Sequence, residues 1–346
     1  MLEKPDISDE KIITCLKFDY GLSAPDVIFL PLGNDSNTVA YKVHTSNNQS
    51  YFLKLRTGNF DDNSVTVPTF LKDEGIKHII PPIETTSGNL LANLGNHKII
   101  LYPFVEGKSG FDVLLSDQQW FDFGNTLKSI HKAKIPTELK NQLRSETFSP
   151  KWLDVLKMFL KRIINESFEE PTAAKMAVFL KTKSEEITSV IEKTEKLRSI
   201  VKERNLPFVL CHYDIHAGNL LIDGQDNIFI VDWDNPILAP KERDLMFIGS
   251  GIGYIWNTEK ESKLFYKGYG EEDIDPVAIV YYRYVRLIED IAIYAQDTFL
   301  TDEGGKDRER NLEYLKHNFL PENVLDLAKK SEKLLPQEIK AQLAEI

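Results

Sequence analysis

The sequence predicts an α+β fold, with strands gathered early in the chain and helices dominating after residue 109. Three observations carry this. Short apolar runs rich in β-branched and aromatic residues, separated by turn-forming stretches, fill residues 27–102. Beyond residue 109, apolar residues recur mainly at helical spacing. Within that helical part, residues 207–235 (PFVLCHYDIHAGNLLIDGQDNIFIVDWDN) break the rule and read as strand, polar loop, strand, turn, strand.

In chain order, residues 7–19 predict a helix with Ser8 as N-cap. Residues 27–30, 38–43 and 51–56 predict antiparallel strands, and 79–83 and 96–102 the last strands of a five-stranded sheet. Between them, Pro68 restricts any helix to one that has Pro68 near its start. Ser116 to Gln119 is a capping box, followed on one helical face by Trp120, Phe123, Leu127 and Ile130. Residues 151–164 form an amphipathic helix, and 172–203 one long helix or two. Gly249, Gly251 and Gly253 read as a helix break. Residues 265–269 and 279–294 are aromatic-rich helical stretches, and 331–346 a polar terminal helix.

The chain has 346 residues and 42% hydrophobic content, enough for two domains or one large two-lobed unit. Its net charge of −11, from 53 acidic and 42 basic residues, argues against nucleic acid and anionic membranes as partners and suits a cationic small molecule. Two cysteines, Cys15 and Cys211, make no disulfide framework. The charged start carries no signal-peptide core, and the most apolar stretch, 278–294, is interrupted by Arg283, Arg286, Glu289 and Asp290. A cytoplasmic protein is expected.

The chemistry concentrates around the 207–235 hairpin. Asp214 and Asn219 precede it, and Asp232 and Asp234 follow it. An antiparallel hairpin joins its own ends, so Asp214, Asn219 and Asp232 are expected to converge. Carboxylate and amide oxygens gathered beside apolar strands suit Mg²⁺, and solvated acids on an edge hairpin are the alternative. His212 and His216 have zinc spacing only on a helix, which Gly218 and the preceding β-type residues argue against. His216 reads as a loop buttress. Upstream, Lys54 lies mid-strand, where a lysine can snorkel from an ordinary edge strand. Gly33, Asn34 and Ser36 occupy a loop whose small residues let backbone N–H groups approach anions, though an ordinary turn has the same composition.

The pattern Asp214-x-x-x-x-Asn219, with Asp232 beyond a hairpin, resembles the kinase catalytic loop. The string His212-Tyr213-Asp214-Ile215-His216-Ala217-Gly218-Asn219 resembles that of the aminoglycoside phosphotransferase family, with Tyr213 for the usual Gly and Ala217 for the usual Pro. The resemblance implies a two-lobed protein-kinase-like fold. Residues 1–103 would form an antiparallel five-stranded nucleotide-binding N-lobe, and 104–346 a mainly helical C-lobe with the catalytic loop, metal site and acceptor site. It implies ATP and Mg²⁺ as cofactors, with ATP favoured over GTP on family grounds alone. Asp214 would be the catalytic base, and Asn219 and Asp232 the metal ligands. Lys54, Gly33, Asn34 and Ser36 would contact phosphates, and Phe104 and Val105 would read adenine. Asp234 would be a second metal contact or an acceptor-site acid, with Glu289 and Asp290 also facing the acceptor. Asp244 would steady the catalytic loop, or else simply begin a helix. The helix Glu that usually pairs with the family's lysine has no counterpart in register. Asp61, Asp62 and Glu74 are the nearest acids, so the partner of Lys54 stays open.

The implied reaction moves the γ-phosphoryl of ATP to a hydroxyl of an aminoglycoside or aminocyclitol antibiotic. Segment 151–203, the Tyr-Asp-Ile-His variant and residues 283–291 are similar to compact family members that act on spectinomycin. The alternatives are a kinase of choline or another small hydroxyl metabolite, and a nucleotide-binding pseudokinase. The presence of Lys54, Asp214, Asn219 and Asp232 argues against the last.

Overall fold

A computed structural model describes residues 4–33, 37–58, 60–252, 255–270, 272–301 and 305–346. The expected phosphate-loop residues Asn34 and Ser36, and Gly253 of the expected helix break, lie outside the described residues. Two compact units emerge. The first comprises residues 1–115, 133–143 and 218–236, and the second 116–132, 144–217 and 237–346.

The first unit is built on a five-stranded antiparallel sheet with spatial order Asp26–Leu30, Thr38–His44, Ser50–Arg56, His97–Pro103, Ala92–Leu94. Alternation along these strands turns Tyr41, Val43, Leu53, Leu55, Ile99 and Leu101 toward Ile12, Cys15 and Leu16 of the helix Asp9–Asp19. Each of the larger apolar side chains so buried contributes roughly 1.5–3 kcal/mol. Ser8 does stand at the N-cap, but its side chain makes no capping bond.

Two expectations fail here. Residues 79–83 are not a sheet strand: Pro81 and Pro82 have no N–H to donate, and what remains is a parallel bridge from Ile79 to Ile230 and a single bond from Ile83 N–H to Leu101 O at 2.7 Å. The fifth strand is Ala92–Leu94. Pro68, expected near a helix start, sits inside the helix Asn63–Asp73, where its buried ring outweighs the missing i−4 hydrogen bond.

The hairpin forms as the sequence predicts, from Leu220–Asp223 and Ile228–Ile230. Its turn is held by Asp223, whose Oδ1 accepts from Gln225 N–H and Asn227 N–H at 2.8 and 2.9 Å. The short strand Gly107–Ser109 pairs with its other edge. Only glycine fits at 107, because a Cβ there would lie 2.4 Å from Ile222 O.

The second unit is mainly helical. Its small sheet has Ile237–Pro240 in the middle, antiparallel to Phe208–Cys211 and parallel to Arg144–Ser145. Residues 172–203 resolve into two helices, Pro171–Thr182 and Ser184–Glu203. The capping box at Ser116 is present in both directions. That helix, Asp117–His131, packs against Glu259–Tyr269 so closely that a Cβ at Gly124 would meet Phe265 O at 2.1 Å and one at Gly268 would meet Phe121 O at 1.9 Å. The 24-residue helix Pro276–Phe299 is the unit's central element, capped by Asp275 and buried along most of its length. The expected terminal helix is shorter than residues 331–346: Pro336 separates a 3₁₀ turn, Glu332–Leu334, from the helix Gln337–Leu343. No helix among the described residues is long and apolar enough to cross a membrane.

Candidate active site

In the first unit the hairpin closes its ends, with Val231 N–H donating to Asn219 O at 3.0 Å. Asn219 and Asp232 therefore lie beside each other, as expected. Asp232 adopts φ +66°, a left-handed conformation that a short polar side chain tolerates. The indole N–H of buried Trp233 donates to Ile230 O at 3.2 Å and anchors the segment between the two aspartates.

Lys54 finds its partners here. Its strand turns Leu53 and Leu55 to the core and Lys54 to the opposite face. Nζ lies 2.5 Å from Asp232 Oδ1 and 2.6 Å from Asp234 Oδ1. The open question about Lys54 is thus answered by Asp232 and Asp234 rather than by Asp61, Asp62 or Glu74. Arg56, two residues along the same face, pairs with the other oxygen of Asp234. Burial pulls the Lys54 ammonium toward neutrality, but the two carboxylates outweigh it and leave the pKa above its ordinary value. For Asp234, burial and the neighbouring Asp232 charge prevail over Lys54 and Arg56 and raise the carboxyl above the usual range.

The oxygen-rich set fits a hard divalent cation. Asn219 brings an amide oxygen, and Asp232 keeps 46% of its side chain exposed. Asp234, with 17% exposed and both oxygens engaged by cations, is the more enclosed of the two aspartates. At the expected adenine contact, the Phe104 N–H already donates to Ser50 O at 3.2 Å, and Lys42 Nζ lies 4.1 Å from the Phe104 ring centroid. Gly33 takes φ +80°, so the chain does use glycine's freedom at this turn.

In the second unit the loop that carries Asp214 is held by Asp244. This fully buried carboxylate accepts from His212 N–H at 2.8 Å, from Tyr213 N–H at 2.9 Å, and pairs with His131 Nε2 at 3.1 Å. Both readings of Asp244 hold: it lies in the first turn of the short helix Glu242–Leu245, and its carboxylate also accepts from the loop. His131 is held in turn by Tyr269 Oη, 2.7 Å from its Nδ1. Cys211 adjoins this group; burial pushes its thiol pKa well up, and the thiol faces the carbonyl oxygens of Ala239 and Pro240 at 3.7 and 3.6 Å.

Tyr213 stands where the motif that the loop resembles has glycine. Its φ is +82°, where L-residues are strained. The strain is offset by the Arg243 guanidinium, 3.8 Å from its ring centroid, and by a 2.7 Å bond from its hydroxyl to Glu289 Oε1. The other oxygen of Glu289 meets Arg243 at 3.2 Å. Glu289, expected at the acceptor, thus has both oxygens engaged within the protein.

Asp214 is gripped by Arg286 at Oδ1, and its Oδ2 lies 3.5 Å from His216 Nε2. The stretch is not the helix a His212–His216 zinc site needs, and His216 buttresses the loop as expected. Burial would raise the Asp214 pKa, but Arg286 first, and His216 after it, hold it well below the usual carboxylate range. Asp290 shows the reverse. It lies 2.9 Å from Arg286 Nε, yet burial pushes its carboxyl up to about 6.

Arg56, Arg243, Arg286 and His131 are the neighbours that sequence reasoning missed. Arg286 and Asp290 carried a signal, an i,i+4 charge pair inside a mostly apolar helix. The other three carried none, since their partners lie far away in sequence.

Residues 29–279 match the profile of the phosphotransferase enzyme family. Among solved structures, the chain is similar to spectinomycin phosphotransferase APH(9)-Ia in complex with ADP and spectinomycin, at 38% identity and a TM-score of 0.88, covering 95% of this chain and 100% of that one. A second structure of that enzyme, bound to AMP, matches at 37% identity and a TM-score of 0.84, covering 94% and 99%. An amicoumacin kinase shares the fold, at 14% identity and a TM-score of 0.62 over 94% and 97% of the chains. A search of curated protein sequences gave no match. The family profile spans most of the chain and takes in the Asp214–Asn219 loop and the hairpin, and the chain belongs to the phosphotransferase enzyme family.

Proposed function

We propose that this protein is a cytoplasmic antibiotic kinase that transfers the γ-phosphoryl of ATP to a hydroxyl of spectinomycin or a close aminocyclitol relative. The observation that carries this reading is likeness over nearly the full length of both chains, at 38% identity, to a spectinomycin phosphotransferase. The acceptor is cationic, in keeping with a net charge of −11.

The roles follow from the residues. Asp214, ionised at neutral pH, accepts a hydrogen bond from the acceptor hydroxyl and takes its proton as oxygen attacks phosphorus. The new O–P bond forms as the bond to the β-phosphate bridging oxygen breaks, and ADP carries away that electron pair. Lys54 exchanges a carboxylate contact for the α- and β-phosphates. Asn219 and Asp232 would hold Mg²⁺, which neutralises phosphate charge during transfer. Asp234 keeps Lys54 and Arg56 aligned on the sheet face.

Purified protein with ATP and Mg²⁺ is expected to release ADP with spectinomycin and not with kanamycin or choline. Release with choline or kanamycin alone overturns the substrate assignment and leaves the kinase assignment standing. Release with none of these acceptors, nor with a wider hydroxyl panel, overturns both.

A further inference from the structure

Asp214 sits on the catalytic loop, but the residue that grips it comes from elsewhere. Arg286 is 72 residues away in sequence, on the helix Pro276–Phe299. That helix is fixed at its start by the Asp275 cap, and from its next turn Glu289 reaches Tyr213 and Arg243. Arg286 itself has little freedom. Its side chain is 15% exposed, its guanidinium carbon lies 5.5 Å from the Phe247 ring centroid, and its Nε lies beside Asp290. The His216 ring is 6.3 Å from that same Phe247 ring. Arg286 and His216 thus share one aromatic support while flanking the two oxygens of Asp214.

We propose that Arg286 is the positioning residue of Asp214: it occupies Oδ1 and holds the carboxylate in the orientation in which it meets the acceptor's hydroxyl.

The inference rests on the phosphotransferase reading above and adds a residue to it. The geometry explains why a rigid helix is used. Arg286 meets Asp214 through Nη1 while its Nε lies against Asp290 and its guanidinium carbon 5.5 Å from the Phe247 ring centroid, so the group that holds Oδ1 is itself held from two sides, which a flexible loop residue would not be. The charged and titratable groups facing Asp214 within this unit are Arg286, His216 and His212, with Asp290 and Glu289 behind Arg286. Removing the Arg286 charge takes away the largest influence that holds the Asp214 carboxyl down and leaves His216 and His212 alone against burial, which favours the protonated form.

The test compares wild type, Arg286→Met and Arg286→Lys by ADP release with spectinomycin, varying Mg-ATP and spectinomycin in turn, across pH 5–9. Arg286→Met is expected to lower kcat by at least ~10²-fold and to move the acid limb of kcat/KM to higher pH. Its KM for ATP should stay within about twofold, because the residue touches no expected nucleotide group. Arg286→Lys keeps the charge without the fork, so its acid limb should stay near wild type while kcat remains reduced. Calorimetric Mg-ATP binding reports folding for each variant. If Arg286→Met does not fold, Arg286→Lys carries the test, and wild-type kcat in that variant overturns the proposal. An unmoved acid limb and unchanged kcat in folded Arg286→Met also overturn it. An inactive wild type with every acceptor fails the phosphotransferase reading instead.

Discussion

Two aspartates, Asp214 in the second unit and Asp234 in the first, both sit against cations, yet their pKa values move in opposite directions. Asp214 goes well below the ordinary range and Asp234 above it. Burial opposes ionisation of both. The difference is in how like charge is distributed. Asp234 shares Lys54 with Asp232, and that neighbouring charge adds to burial. Asp214 takes Arg286 at one oxygen and has His216 at the other, while its acidic neighbour Asp290 carries the upward shift. The lesson is that a cation beside a carboxylate does not by itself settle its protonation; the other carboxylates drawing on the same cation decide it.

The most direct way to break this comparison is to neutralise Asp214. Asp214→Asn is expected to reduce turnover by at least ~10²-fold with Mg-ATP binding nearly intact. Steady-state ADP release together with calorimetry checks this, and near-wild-type turnover would remove Asp214 from the mechanism.

The first unit can be split in the same manner. Asp232→Ala should abolish Mg²⁺-dependent ATP binding, because the more exposed aspartate is the one available to an ion. Asp234→Ala should retain more of that binding but lose stability on the order of 3 kcal/mol, since it leaves Lys54 and Arg56 with one carboxylate fewer in an enclosed site. Calorimetry and denaturant unfolding separate the two effects. Equal losses of binding would mean that the roles are wrongly assigned between the two aspartates.

The smallest expected effect is a pH trend at Asp290. Its carboxyl titrates near 6 in the folded protein against an ordinary 3.8, so the folded state holds a proton that the unfolded chain releases between those values. Raising the pH through that window therefore removes stability. Asp290→Asn has no such group, so its Tm relative to wild type should become more favourable by a few degrees between pH 4 and pH 7. A Tm difference that is flat with pH, read by scanning calorimetry, would show that Asp290 is ionised throughout.

The chain's own order of residues determined the five-stranded sheet, the hairpin and the pairing of Asn219 with Asp232. The hairpin and the Asn219–Asp232 pairing rest on turn chemistry and a short connection, and the sheet strands on local period, although Ser50–Arg56 pairs with His97–Pro103 from far along the chain. The same locality made the Ser116 capping box legible. It misled at residues 79–83, where apolar character suggested a strand but two prolines removed the donors, and at Pro68, where packing overrode a local preference. Tertiary structure alone decided which charges meet. Lys54 reaches Asp232 and Asp234 from 178 and 180 residues away, Arg286 reaches Asp214 from 72, and His131 reaches Asp244 from 113. Electrostatic partners are chosen by proximity in space, and in a low-dielectric interior that choice also sets the protonation of each group. The residue types that carry the chemistry could thus be read along the chain, while the cations and hydrogen bonds that tune them exist only once helix, loop and sheet have packed.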